Sequence, residues 1–138
     1  MLTDARGVVL GVVIDAANRH DIKLALPTLD SVLVHRPQPR KGCPQHLCAD
    51  KAYDASHFRC TLARRHYVPH IKSRGEEAWE HRRRIHVKAR RWVNERTQSW
   101  FNRFHKVTIR REKKADNYLG ILMFVAGWIA LRVAGVFG

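Results

Sequence analysis

Two acidic side chains in this 138-residue sequence stand where a carboxylate can do chemistry. Glu95 sits in the middle of a strongly basic run, Arg90 to Phe104, read RRWVNERTQSWFNRF. Placed on a helix, Arg91, Glu95, Gln98 and Asn102 share one polar stripe. Val93, Thr97, Trp100, Phe101 and Phe104 fall on the far side, so such a helix can bury one face and present Glu95 from the other. Trp92 lies between the two faces. The plain alternative for a lone acid among arginines is a salt bridge. Asp50 closes the stretch Gln45-His46-Leu47-Cys48-Ala49-Asp50, which reads as a short strand, His46 to Ala49, with the acid at its tip. Strand tips are where α/β folds place functional carboxylates, because the side chain projects beyond the sheet. Acids on separate elements that can converge suit hard divalent cations such as Mg²⁺ or Mn²⁺, which serve phosphodiester displacement.

The elements that must carry these residues follow from pattern. Gly7 to Asp15 is an apolar, β-branched run that predicts a buried strand, preceded by a turn over Thr3 to Gly7 and the end of an earlier strand at Met1-Leu2. A helix is expected from about Ile22 to Val34, with Asn18 in the turn and Asp21 as its N-cap. His35 to Pro44 holds three prolines and reads as a loop. Asp54 is placed to cap a helix from Ala55 to Arg65. Tyr67 to Ile71 reads as a strand that Pro69 confines to an edge or bulge, and Lys72 to Glu80 as a polar loop. From Arg82 through Lys106 the chain is basic and helical, and Val107 to Glu112 fits either a turn or a short extended segment. The apolar end, with residues 118–135 as a buried helix, carries Arg132, Gly120 and Gly127, which argue against a membrane span. The order gives one α/β domain over residues 1–138.

Charge narrows the partner. The formal net charge is +14, and residues 64–114 hold 17 of the 26 Lys and Arg against five of the 12 acids, a net of +12. A basic half of that strength fits a polyanion, most simply nucleic acid held through its phosphates; a membrane surface or an acidic protein are the competitors. Cys43, Cys48 and Cys60 are odd in number and fit a reduced, intracellular setting. Cys43, His46, Cys48 and His57 invite a structural zinc, but their spacings match none of the usual ligand pairs.

Five stretches carry a family resemblance in order along nearly the whole chain: ANRHD (17–21), CADKAYD (48–54), YVPHIKSRGEE (67–77), RRWVNERTQSWFNRF (90–104) and REKKADNYLGILMF (111–124). Together they resemble the DDE transposases of bacterial insertion sequences. The resemblance implies a ribonuclease-H-like mixed sheet with flanking helices, and a triad of two aspartates and one glutamate holding two Mg²⁺ (or Mn²⁺) ions. Asp50 matches the second triad aspartate and Glu95 the glutamate, both as catalytic and metal-binding residues. Arg91 matches the arginine of the family's arginine-to-glutamate signature. Lys51 and Tyr53 match the aspartate-lysine-glycine-tyrosine element, with Ala52 where glycine is usual. Asn102 stands where some members have a lysine.

The first triad aspartate of the family lies on a strand upstream of anything resembling Thr3 to Gly7. Neither Asp4 nor Asp15 matches a triad position. The resemblance therefore implies a C-terminal transposase fragment lacking the first strand, whose missing part an upstream polypeptide could supply. Expected partners are DNA, both transposon ends and target, and a second copy in a synaptic complex, with no membrane. Lys51, Tyr53, Arg82, Arg83, Arg84, Lys88, Arg90 and Arg91 are the expected DNA contacts. The expected setting is the bacterial cytoplasm, at the nucleoid when bound to DNA. The implied function is metal-dependent DNA cleavage and strand transfer; the alternative is a DNA-binding remnant without catalysis.

Overall fold

The computed structural model describes residues 1–16, 18–32, 34–73 and 91–136, the Arg91 side chain excepted. The chain divides into two compact units: Met1–Val34 with Trp92–Gly138, and His35–Arg91.

The first unit opens with strands β1 (Leu2–Thr3) and β2 (Val9–Gly11), paired antiparallel with Leu2 opposite Gly11 and Thr3 opposite Val9. Asp4 organises the turn between them. Its carboxylate accepts the backbone N–H groups of Arg6 and Val8, both at 2.8 Å, and Gly7 closes the turn at φ +84°, a conformation that glycine adopts without Cβ strain. Helix α1 (Asp21–Asp30) follows. It is shorter than the apolar spacing predicts, and His20, not Asp21, occupies the N-cap; Asp21 lies in the first turn, where a negative charge complements the helix dipole. Pro27 supplies no N–H to the helix interior, and the last turn closes with Ser31 N–H donating to the Pro27 carbonyl at 2.9 Å.

Helix α3 (Arg91–Phe101) ends earlier than expected. The continuous helix to Lys106 is instead broken at 102–104, where Arg103 and Phe104 donate to carbonyls three residues back, and the chain re-enters a short helix α4 (His105–Thr108). The break turns Phe104 and Val107 onto the same core as Phe101, and Tyr118 Oη–H donates to the Val107 carbonyl at 2.9 Å. Val107 and Thr108 thus belong to a helical turn, and residues 109–112 to neither helix nor strand. The expected helical residues 82–90 lie outside the described residues.

The last helix, α5 (Ala115–Val133), is amphipathic by burial rather than by composition. Leu122, Val125, Ala126 and Ile129 form the core with Phe101, against Val9, Val12 and Ile14. Phe124 on the opposite side is 73% exposed, with Trp128 and Leu131 also open. The helix expected to be buried is therefore buried on one face. It is long and apolar enough to cross a membrane by length and composition, yet its inner stripe is committed to the core of this unit.

The second unit is a strand–helix–strand arrangement. Strands β3 (Gln45–Ala49) and β4 (Tyr67–Ile71) pair in parallel over five residues, from Gln45 opposite Tyr67 to Ala49 opposite Ile71. Helix α2 (Ser56–Arg64) links them, with Phe58 and Leu62 buried along with Tyr67 and Ile71. β4 has one strand neighbour among the described residues, which agrees with Pro69 marking an edge. Asp54 does not cap α2: Ala55 occupies the N-cap, and Asp54 instead pairs with Arg59 at 2.8 Å, whose guanidinium also donates to the Ile71 carbonyl at 2.6 Å. The acid is spent tying helix to strand. Arg36 donates to Gln45 and to Tyr67 Oη, fastening the proline-rich loop to the same sheet. The mixed α/β class expected from sequence is thus present, in the form of two two-stranded sheets among the described residues.

Leu62 is fully buried. Leu62→Ala should lower stability by about 2–5 kcal/mol through lost burial and a residual cavity, and Phe124→Ser by less than about 0.5 kcal/mol. Urea denaturation of the folded chain measures both.

Candidate active-site carboxylates

Asp50 stands at the C-terminal end of β3, exposed, as the N-cap of a single 3₁₀ turn over Lys51–Tyr53. Its Oδ1 accepts the Lys51 N–H at 2.7 Å, and its carbonyl accepts the Tyr53 N–H at 2.9 Å. The turn therefore aims the carboxylate from a rigid base. Ala52 fits this turn without strain, since His66 is the positive-φ non-glycine residue among those described; glycine is not required there. The Tyr53 ring leans on Phe58, 6.2 Å between centroids, so this tyrosine braces the turn against α2.

Glu95 lies on the solvent side of α3 with Gln98 and Asn102, while Val93, Thr97 and Phe101 are buried behind it. The polar stripe and apolar face expected from spacing are both present. Trp100 is half-buried against the core, and Trp92 is 48% exposed. Among the described residues no hydrogen bond or ion pair reaches the Glu95 carboxylate. Its neighbour Arg96 is engaged elsewhere. That guanidinium lies between the Trp92 and Trp100 rings, 4.7 and 4.9 Å from their centroids, and its Nη2 donates to the Arg6 carbonyl at 2.6 Å.

The helix bearing Glu95 is held to the β1–β2 turn by a buried contact that local sequence pattern does not reveal. Thr97, with no exposed surface, donates from Oγ1 to the Gly7 carbonyl at 2.8 Å. A Cβ on Gly7 would stand 2.7 Å from Thr97 Oγ1 and 3.2 Å from Arg96 Nη2. Glycine is needed here twice over, for its φ and for the approach of the helix. Nothing in helical periodicity flags Thr97, which reads simply as a residue of the apolar face.

Two of the other acids are occupied. Asp4 serves the turn, and Asp15 pairs with Arg19 and accepts the Ala16 N–H at 2.7 Å. The Arg19 hydrogen bond, followed by that of Ala16, holds the Asp15 carboxyl below the usual range. Cys43, Cys48 and Cys60 are free and exposed, and no group of three or more metal-capable side chains gathers among the described residues. Lys51 is exposed beside Asp50. The expected DNA contacts Arg82, Arg83, Arg84, Lys88 and Arg90, and the side chain of Arg91, lie outside the described residues. Asp50 belongs to one unit and Glu95 to the other.

The family described as "Transposase DDE domain" matches residues 1–128. The chain belongs to the DDE transposase family. A relative in Burkholderia cepacia, named as a candidate transposase for insertion sequence element IS402, is 32% identical over 121 residues. That alignment covers 84% of this chain and 54% of the relative, so the chain spans about half the length of the curated protein it matches. No solved structure matches it.

Two outcomes follow from these contacts. Gly7→Ala should destabilise by more than the ~1–2 kcal/mol of a left-handed residue alone, and combining it with Thr97→Ala should cost less than the sum of the two single changes, because the clash and the lost bond share one site; denaturant titration of the four proteins gives the coupling. Asp15→Asn should lower stability slightly at neutral pH. The folded-state pKa of Asp15 is depressed, so its contribution is present above the ordinary aspartate value of about 3.9 and is lost as pH falls below it. Stability curves of parent and variant should therefore converge in acid.

Proposed function

We propose that this chain is part of a DNA-cleaving and DNA-joining transposase in which Asp50 and Glu95 are two of the three carboxylates that hold a pair of divalent ions. The observation that carries this reading is the family match over residues 1–128, with Asp50 at the tip of β3 and Glu95 exposed on the solvent side of α3. The donors are hard oxygens, which suit Mg²⁺ or Mn²⁺ rather than softer metals. When bound, such ions supply activation of the attacking oxygen and stabilisation of the leaving oxygen at a phosphodiester.

The chain's own residues have separable parts in this scheme. Asp50 is oriented by the Lys51 N–H, and Glu95 by the latch that fixes α3 to the Gly7 turn. Lys51, Arg82, Arg83, Arg84, Lys88, Arg90 and Arg91 neutralise phosphates, and Tyr53 braces the turn behind Asp50. No residue of this sequence matches the third carboxylate, which the family resemblance puts on the first strand of a ribonuclease-H-like sheet. The freed 3′-hydroxyl of the element then attacks target DNA, two copies acting together on paired ends in the bacterial cytoplasm. A second reading, a DNA-binding remnant without catalysis, rests on the net charge of +14 alone.

The test uses the chain with end-bearing duplex DNA, alone and with the upstream polypeptide, in Mg²⁺ and in Mn²⁺. The transposase reading expects nicking with the upstream polypeptide that falls at least ~100-fold in Asp50→Asn and in Glu95→Gln, while DNA binding, steeply salt-dependent, is retained. Binding without cleavage in any combination would leave the remnant reading standing. Absence of salt-sensitive DNA binding in the parent chain would reject both.

A further inference from the structure

On the exposed face of the β3–β4 sheet, His46 and His70 meet. His46 Nδ1 and His70 Nε2 lie 2.7 Å apart, and the rings stack with centroids 5.0 Å apart and 23° between planes. The residues are far apart in sequence, and the parallel register brings them together: His46 lies opposite Val68, and His70 opposite Cys48. All four side chains are on the exposed face, since Tyr67 and Ile71 alternate to the buried one. Helix α2 packs against β4 and buries Phe58 and Leu62, so His70 stands on a backed strand and His46 on its paired neighbour.

We infer that His46 and His70 form a two-histidine chelating site for a soft divalent transition ion of the Zn²⁺ or Ni²⁺ class, separate from the carboxylates assigned to Mg²⁺ or Mn²⁺. Two imidazole nitrogens that converge at this distance need only a small opening to share one ion at the usual Zn–N length of about 2.0–2.1 Å. As neutral rings they share a single N–H between the facing nitrogens; moving that proton to the other nitrogen of its own ring gives two lone pairs without net loss of a proton. No third donor is gathered there among the described residues, so water completes the coordination, with Cys48 next to His70 as the nearest softer ligand. Imidazole and thiolate select zinc, nickel or copper, whereas carboxylate and water select magnesium or manganese, so the two sites differ in the metal they take. Neither Asp50 nor Glu95 contributes to this pair, and the inference does not depend on catalysis.

Calorimetric titration of the whole chain with Zn²⁺ and with Ni²⁺, beside a Mg²⁺ control, tests it. The expected result is one saturable Zn²⁺ or Ni²⁺ site per chain that Mg²⁺ does not fill. Binding should fall on the order of 100-fold in His46→Gln and in His70→Gln, because each removes one arm of the chelate. His57→Gln and Cys43→Ser should leave it unchanged. Circular dichroism confirms that the variants at these exposed positions stay folded. No saturable site in the parent chain, or equal affinity in the His46 and His70 variants, would overturn the assignment, the latter by placing the ion on other histidines. Asp50→Asn with Glu95→Gln should retain the transition-metal site; its loss there would assign the ion to the carboxylates instead.

Discussion

The buried hydrogen bond from Thr97 to the Gly7 carbonyl is the constraint on which the first unit depends. It joins a helix to a hairpin turn far away in sequence, and it does so where no water can substitute. The Thr97 hydroxyl also has the Val93 carbonyl of its own helix within 3.0 Å, so it is the buried Gly7 carbonyl that a slide of the helix would leave unmet, at about 1–3 kcal/mol. Everything that presents Glu95 follows from it. With Thr97 facing the turn, Val93 and Phe101 must face inward as well, and the opposite stripe of Glu95, Gln98 and Asn102 must face solvent. Arg96 adds a second fastening through the Arg6 carbonyl, with its guanidinium against two tryptophan rings.

Asp50 is positioned by a different device. A parallel strand pair backed by one helix sets the end of β3, and the 3₁₀ turn that follows directs the carboxylate through its own backbone. The two carboxylates are thus held by independent local machinery, one through long-range packing and the other through short-range turn geometry.

What could be read from sequence tracks how local the determining interaction is. β4 was legible to its ends and β3 to within one residue, because apolar alternation and Pro69 speak within five residues. The polar stripe of α3 was legible from spacing alone. The ends of α1 and α3 were not. Apolar periodicity runs on past Asp30 and Phe101, but Pro27 interrupts the hydrogen-bond ladder in one helix, and in the other the chain turns to bring Phe104 and Val107 onto α5. Asp54 looked like a cap because of its position before a helix, and the competing attraction of Arg59 could not be seen without the fold. Thr97 with Gly7, and His46 with His70, lie beyond any local pattern, since their partners are set by tertiary contact and by strand register.

Charge balance sharpens the meaning of Glu95. In a chain carrying 26 Lys and Arg against 12 Asp and Glu, an acid has abundant cationic partners. Asp15 and Asp54 take arginines, and Asp4 is consumed by backbone N–H groups. Glu95 sits among arginines in sequence, yet no described side chain pairs with it, and its sequence neighbour Arg96 is engaged with ring faces and a carbonyl. Surface ion pairs contribute little, about 0–1 kcal/mol, so leaving one unmade costs the fold almost nothing. A divalent ion gains far more from an uncommitted carboxylate than from one already neutralised by a guanidinium, because it need not displace that partner. Arg96 therefore serves the packing of α3 rather than a surface ion pair with its neighbour Glu95.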